Sequence, residues 1–396
     1  MNAQEWRATG GLTSLYTVRM LGLFMILPVF ALYARDLPDA TPLAIGLALG
    51  IYGLSQALLQ IPFGIASDRW GRKPVIIAGL LLFAAGSLIA ATASTLEWII
   101  IGRALQGSGA IAAATNALLA DLTRDSERTK AMLVLGIGIG ASFMLALMLG
   151  PLFETIIGVP GIFALTAVLA LVCIPILLWI VPAAPAPRAA HAGIAGDLRT
   201  VLSNPQLLRL DAGIFILHAI LTGLFLALPG VLKDAVGLPE ARHWALYLPV
   251  MLGSLLLTLP MIHLAERRGH LKLMFMSAVA LLALSNAALL LLPPTLFAVA
   301  GVLFAFFAAF NLLEATLPSL ISRICPQNLR GAGLGMYSSS QFMGAFAGGS
   351  LGGLTAQYFG SAGVFAGSAI LALIWLFLAV GLEPPAARET VESVHS

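Results

Sequence analysis

Twelve apolar runs of roughly twenty residues, parted by short breaks that hold nearly all of the charge, constrain this chain more than any other feature. A helix of about 20 apolar residues covers the hydrocarbon core of a bilayer. In lipid every backbone N–H and C=O must be satisfied within a helix or a closed barrel. A barrel shows short alternating strands, which these long runs are not. The runs therefore predict an all-α membrane protein. Its spans fall near residues 12–33, 42–63, 74–93, 98–119, 131–153 and 161–181, then 210–232, 244–264, 273–292, 296–320, 333–358 and 362–382. The chain is 59% hydrophobic and only 10% charged, where soluble domains carry about 25% charged residues. No stretch is left over for a sizeable soluble domain.

Lysine and arginine set the orientation. One set of alternating breaks holds Arg7; Arg69, Arg72 and Lys73; Arg124, Arg128 and Lys130; Arg188, Arg199 and Arg209; Arg267, Arg268 and Lys272; Arg323 and Arg330; and Arg388. The opposite set holds only Arg35, Lys233 and Arg242. Positive residues stay on the cytoplasmic side, so both termini are expected there, in a multi-pass protein of the inner (plasma) membrane. The net charge of +3 thus reports topology and predicts no nucleic-acid partner. Residues 1–10 are short and polar, and no small-residue cleavage site follows the first run, so that run is expected to stay as a span. Cys173 lies inside an apolar run and Cys325 beside a loop, which argues against a disulfide. His and Cys do not cluster at ligand spacing, so neither a metal nor a cofactor is expected.

The longest polar break, from Pro182 to Pro205, is rich in Ala and Pro and divides six spans from six. This predicts an N-terminal bundle over residues 1–182, a cytoplasmic linker over 183–207 and a C-terminal bundle over 208–396. An internal repeat supports the division. Pro62, Asp68, Arg69 and Gly71 have partners at one constant offset in Pro260, Glu266, Arg267 and Gly269, both sets at the exit of the second span of a half. Two six-helix bundles related by an axis along the membrane normal are one known plan for transporters.

Gly64-Ile65-Ala66-Ser67-Asp68-Arg69-Trp70-Gly71-Arg72-Lys73, between spans two and three, resembles the G-x-x-x-D-R-x-G-R-K signature of the major facilitator superfamily. Gly102-Arg103-Ala104-Leu105-Gln106-Gly107 in span four is similar to that family's second signature, R-x-x-Q-G. The chain from residue 12 to 382 looks closest to the twelve-helix drug:proton antiporter branch, and Arg19 to Met25 is similar to the YajR-like subgroup. Members of that subgroup can carry a soluble C-terminal domain, which is not expected in the few residues after span twelve. The antiporter signature of span five is half present: Ala146 to Gly150-Pro151 keeps its small residues and G-P pair, but Glu154-Thr155 stands where a G-G pair follows. The resemblance implies two pseudo-symmetric six-helix bundles and transport by alternating access.

It also implies a conformational latch of Gly64, Asp68, Arg69, Gly71, Arg72, Lys73 and Asp121. The glycines permit a tight turn and close backbone approach. By the resemblance, Asp68 meets the N-terminus of span eleven near Gly331 to Gly333, where a carboxylate complements the helix dipole. Arg72 pairs with Asp121. Such contacts tie the halves together on the cytoplasmic side and favour the outward-open state.

Four ionisable residues lie well inside spans: Arg19 in span one, Arg103 in span four, His218 in span seven and Glu314 in span ten. Charges at this depth cost at least ~2.5–3.5 kcal/mol on insertion scales and are functional candidates by default. In the family these four helices line the central cavity. Glu314 is the first candidate proton carrier and His218 its partner, with Arg103 beside them as the second signature implies. Arg19, Gln106, Asn116 and Asn311 are candidate lining of a substrate cavity. Arg19 can also be read as snorkelling to the cytoplasmic surface, and His218 as a packing residue. Phe304 to Phe310 offers an apolar wall, or a lipid-facing stripe.

No Ser-His-Asp set, HExxH or phosphate loop stands in context, so an enzyme is not expected. The expected partners are the lipid bilayer, a small-molecule solute and protons, and the expected oligomeric state is a monomer. Proton-coupled efflux by antiport is the first reading, and proton-coupled import of a sugar or carboxylate the second.

Overall fold

The computed structural model describes residues 1–183, 194–267, 270–326 and 329–383, and among these every regular element is helical. Arg188, Arg268, Gly269 and Arg388, used above for charge or repeat, lie outside the described residues, as do the side chains of Glu266 and Arg267. Six helices each make one span: α3 (Pro42–Trp70), α4 (Arg72–Thr92), α9 (Pro205–Gly230), α10 (His243–Arg267), α11 (Leu271–Leu291) and α12 (Leu296–Ile324). Two spans are interrupted. Span one is α1 (Ala3–Met25) followed by α2 (Leu27–Arg35), where Pro28 removes a backbone donor. Span four is α5 (Leu96–Ser108) followed by α6 (Ala112–Asp121). The short α8 (Ile194–Leu202) lies in the expected linker.

The remaining spans pair up. α7 (Asp125–Pro175) and α13 (Arg330–Val380) each run for 51 residues, about 75 Å of helix, more than twice the hydrocarbon core. Each turns at one glycine: Gly158 has φ 69° and Gly360 φ 62°. Only glycine adopts that backbone without a Cβ penalty. The loops expected between spans five and six, and between eleven and twelve, thus shrink to a single residue. With both legs of α7 and α13 counted, the twelve spans are present among the described residues.

Helix ends follow local chemistry. Thr41 and Thr295 accept from the first turns of α3 and α12, and Asn204 caps α9 ahead of Pro205. Lys73 Nζ donates to the Val181 carbonyl at 2.8 Å, satisfying the end of span six. Lys272 Nζ donates to the Val380 carbonyl at 2.7 Å, the same contact with both partners moved on by 199 residues.

One buried apolar cluster is built from α9 to α13 and takes in Phe143 and Leu147 of α7; two others belong to α1 to α7. Between α3 and α13 the contact is backbone to backbone. A Cβ on Gly46 would be driven into Gly349 and Gly353, and one on Gly53 into the Phe342 carbonyl. Only small residues permit such approach, the usual interface chemistry of helices in lipid. This seam lies towards the end that carries Arg35 and Asp234, which form an ion pair at 2.9 Å. We refer to that end as the outer end and to the arginine-rich end as the inner end. The structure is closed at the outer end.

Candidate functional site

Midway along α9, His218 faces Gln341 of α13 and, through it, Glu314 of α12. Gln341 Nε2 lies 2.8 Å from His218 Nε2 and 3.4 Å from Glu314 Oε1. On its other side His218 Nδ1 is 3.3 Å from the Ile214 carbonyl. That carbonyl only accepts, so the bond requires the proton on Nδ1 and leaves Nε2 to accept from the amide. The two N–H bonds of Gln341 thereby serve the histidine and the carboxyl together. Glu314 Oε2 is buried and has no hydrogen-bond partner. An unpaired buried carboxylate costs several kcal/mol, a cost that a bound proton removes.

The wall around this group is aromatic and comes from both halves. The Phe310 ring lies 6.1 Å from that of His218 and stacks on Phe143 of α7 at 6.0 Å. Phe143 meets Phe24 of α1 edge-on at 5.2 Å. Phe306 and Phe307 are buried, whereas Phe304 is 36% exposed, so the phenylalanine run is divided between core and outer surface.

Arg103 stands apart from this group. Its Nη1 donates to Gln106 Oε1 at 2.6 Å, and Nε and Nη2 donate to the Ala48 and Leu49 carbonyls of α3, both at 3.3 Å. Its guanidinium also lies 5.1 Å from the Tyr52 ring centre. Gln106 continues the chain to Ser87 of α4 at 2.7 Å. Arg19 is wholly buried, which rules out the snorkelling reading. Its Nη2 donates to the Gly109 carbonyl at 2.9 Å, in the break between α5 and α6, and the cation sits 4.6 Å from the Phe83 ring. Asn311 bonds Ser254 of α10 at 3.2 Å, and Asn116 is partly exposed on α6.

At the inner end, Arg72 links α4 to α6 through Asp121 at 3.0 Å and pairs with Asp68 one turn before it. It also donates to Ser67 at 2.7 Å. Gly71 turns α3 into α4 with φ 94°, a conformation that favours glycine. Gly64 needs no such freedom here: an added Cβ would lie 3.4 Å from the Ala113 Cβ, an ordinary contact. Arg69 is exposed, and Lys73 caps span six as described. The Asp68 contact with the start of span eleven, expected from the resemblance, is not made. Asp68 pairs within its own half, and nothing lies within 4 Å of where a Cβ would stand on Gly331.

Sequence reasoning missed Gln341, Tyr52, Ser87 and Asp211. Gln341 had a signal, since it ends the polar run Ser338-Ser339-Ser340-Gln341 inside span eleven. Asp211 sits at the very edge of the expected seventh span, where a charge carries no signal. Because α9 begins at Pro205, it lies almost two turns inside the helix.

A helical membrane body whose two halves meet around buried polar groups at mid-depth defines a multi-pass membrane transport protein. The model of the Major Facilitator Superfamily matches residues 12–248 and 213–395. The inner membrane transport protein YajR of Escherichia coli (strain K12) is 45% identical over 387 residues, covering 97% of this chain and 85% of that protein. Multidrug resistance protein D of the same strain is 34% identical over 146 residues, 36% of this chain and 37% of that protein. A bacterial homologue of the human lysosomal transporter Spinster, solved in an inward-facing and occupied conformation, superposes with a TM-score of 0.75 at 14% identity, covering 96% of this chain and 97% of that one. The chain belongs to the Major Facilitator Superfamily. It is an inner-membrane transport protein and not an enzyme.

Proposed function

We propose that this transporter couples the movement of a small organic solute to protons by alternating access, and that it works as an efflux antiporter. The observation that carries the reading is the Glu314–Gln341–His218 chain, in which a buried carboxyl keeps one oxygen without a partner. A group that must lose either its proton or its burial as the halves rock is a natural coupling element. Asp68, Arg72 and Asp121 act as the inner latch of the opposite state, a role supported by their clustering at the inner end. The matched lysine caps of spans six and twelve support two equivalent bundles, over residues 1–182 and 208–396, joined by a cytoplasmic linker. Both termini then lie in the cytoplasm, and the transport unit is a monomer.

The similarity of part of the chain to Multidrug resistance protein D supports efflux. Import of a sugar or carboxylate is the competing direction. Purified protein in liposomes with an imposed proton gradient, screened against solute libraries, tests coupling. Flux that is driven by the gradient in wild type and indifferent to it in Glu314→Gln is the expected result. Gradient-driven flux that survives the substitution sinks the role given to Glu314. Overexpression in cells tests direction, since an exporter raises drug tolerance and an importer does not.

A further inference from the structure

Five side chains of the C-terminal half, among the described residues, have a buried oxygen with no hydrogen-bond partner, and three of them stand on the inner halves of α9, α12 and α13. These three are Glu314, Tyr337 of α13 and Asp211 of α9. Asp211 is the extreme case, 5% exposed with both carboxylate oxygens unpartnered. Such a group is not placed in a membrane helix by accident of packing, because an unpaired carboxylate there costs several kcal/mol.

Their register makes a ladder. Asp211 and His218 are seven residues apart on α9, and Tyr337 and Gln341 four apart on α13, so each pair shares a helix face. At 1.5 Å per residue, Asp211 stands about 9 Å in from the inner end of α9 and Tyr337 about 10 Å in from that of α13. Glu314 stands about 15 Å in from the inner end of α12, and His218 about 20 Å in along α9. Tyr337 lies within electrostatic range of both carboxyls. Cys325, after α12, lies within electrostatic range of Asp211 and of Arg330 at the start of α13. Arg330 Nε is itself buried and unpartnered. Arg209 of the same helix turns away, towards Gly381.

We propose that Asp211 is a second proton-binding site, connected to Glu314 through the Tyr337 hydroxyl. This rests on the proton-coupled reading and gives it a route to the inner surface. In the transfer the Glu314 carboxyl gives its proton to the Tyr337 oxygen as the Tyr337 hydroxyl gives its own to the Asp211 carboxylate. Tyrosine is unchanged, Glu314 is left ionised and Asp211 neutral. Water bridges gaps of a few ångströms in such chains at little cost.

Infrared spectroscopy of the full chain in phosphatidylethanolamine–phosphatidylglycerol liposomes reads protonated carboxyls directly, without a transported solute. Asp211→Asn is expected to delete one carboxylic-acid band and Glu314→Gln another. Removing either is expected to move the midpoint of the other by about one pH unit, as coupled sites require. Tyr337→Phe is expected to keep both bands and their mutual displacement, which acts through space, and to slow the re-equilibration of protons between the two carboxyls after a pH jump. If Asp211→Asn does not fold, aspartate-selective carbon-13 labelling of the wild type identifies the same band by its isotope shift. A spectrum untouched by both Asp211→Asn and the label overturns the inference and leaves Glu314 standing. A spectrum untouched by Glu314→Gln overturns the proton role of Glu314 and the link with it. An unchanged rate of re-equilibration in Tyr337→Phe overturns the route.

Discussion

Span four and span ten each place a charged side chain inside the helical body, and the two halves treat it in opposite ways. Arg103 has all three guanidinium nitrogens engaged, two of them on carbonyls of the neighbouring α3. Glu314 has a single long bond at 3.4 Å and one oxygen with none. A group with every valence met is part of the scaffold, since moving it strands several partners at once. A group left short is free to take up something else. The contrast separates two residues that look alike in sequence, as rare charges in apolar helices.

That contrast is open to test through stability. The largest effect is expected for Arg103→Ala, which strands Gln106 Oε1 and leaves a void between α3 and α5, and should cost about 3 kcal/mol. Thermal unfolding of the detergent-purified protein measures it, and Arg103→Lys should recover only part because an ammonium cannot reproduce the fork. Next, Gln106→Leu removes the 2.6 Å bond to Arg103 and the link to Ser87. A loss of about 2 kcal/mol is expected, read from the midpoint of a denaturant titration. Gln341→Leu removes a neutral bond to His218 at 2.8 Å, and about 1 kcal/mol is expected by the same titration. Smallest of all, Glu314→Gln should change stability by about 0.5 kcal/mol or less, since it removes no strong bond. A loss in Glu314→Gln equal to that of Arg103→Ala would erase the distinction.

How far the sequence went depends on the kind of information each feature carries. Span positions were legible because apolar length is a local property, and Gly71 announced its turn because a positive φ favours glycine. The breaks at 154–160 and 359–361 were legible as well, but not their reduction to the single glycines Gly158 and Gly360, which depends on how two long helices pack. Glu314 and His218 declared themselves by cost, being ionisable where ions are expensive. Their mutual placement did not, because it runs through Gln341, a neutral residue whose role exists only when three helices pack. Arg103 was grouped with them on the strength of its depth. Depth carries no bearing angle, and its side chain turns to α3 instead.

The glycine seam between α3 and α13 has an energetic corollary for how such a machine toggles. Parting two apolar side-chain surfaces forfeits area-dependent attraction, roughly 25 cal/mol for each Å² re-wetted. Where Gly46, Gly50, Gly349 and Gly353 meet there is almost no side-chain area to re-wet, only peptide groups already bonded along their own helices. The joint therefore comes undone cheaply although it fits closely.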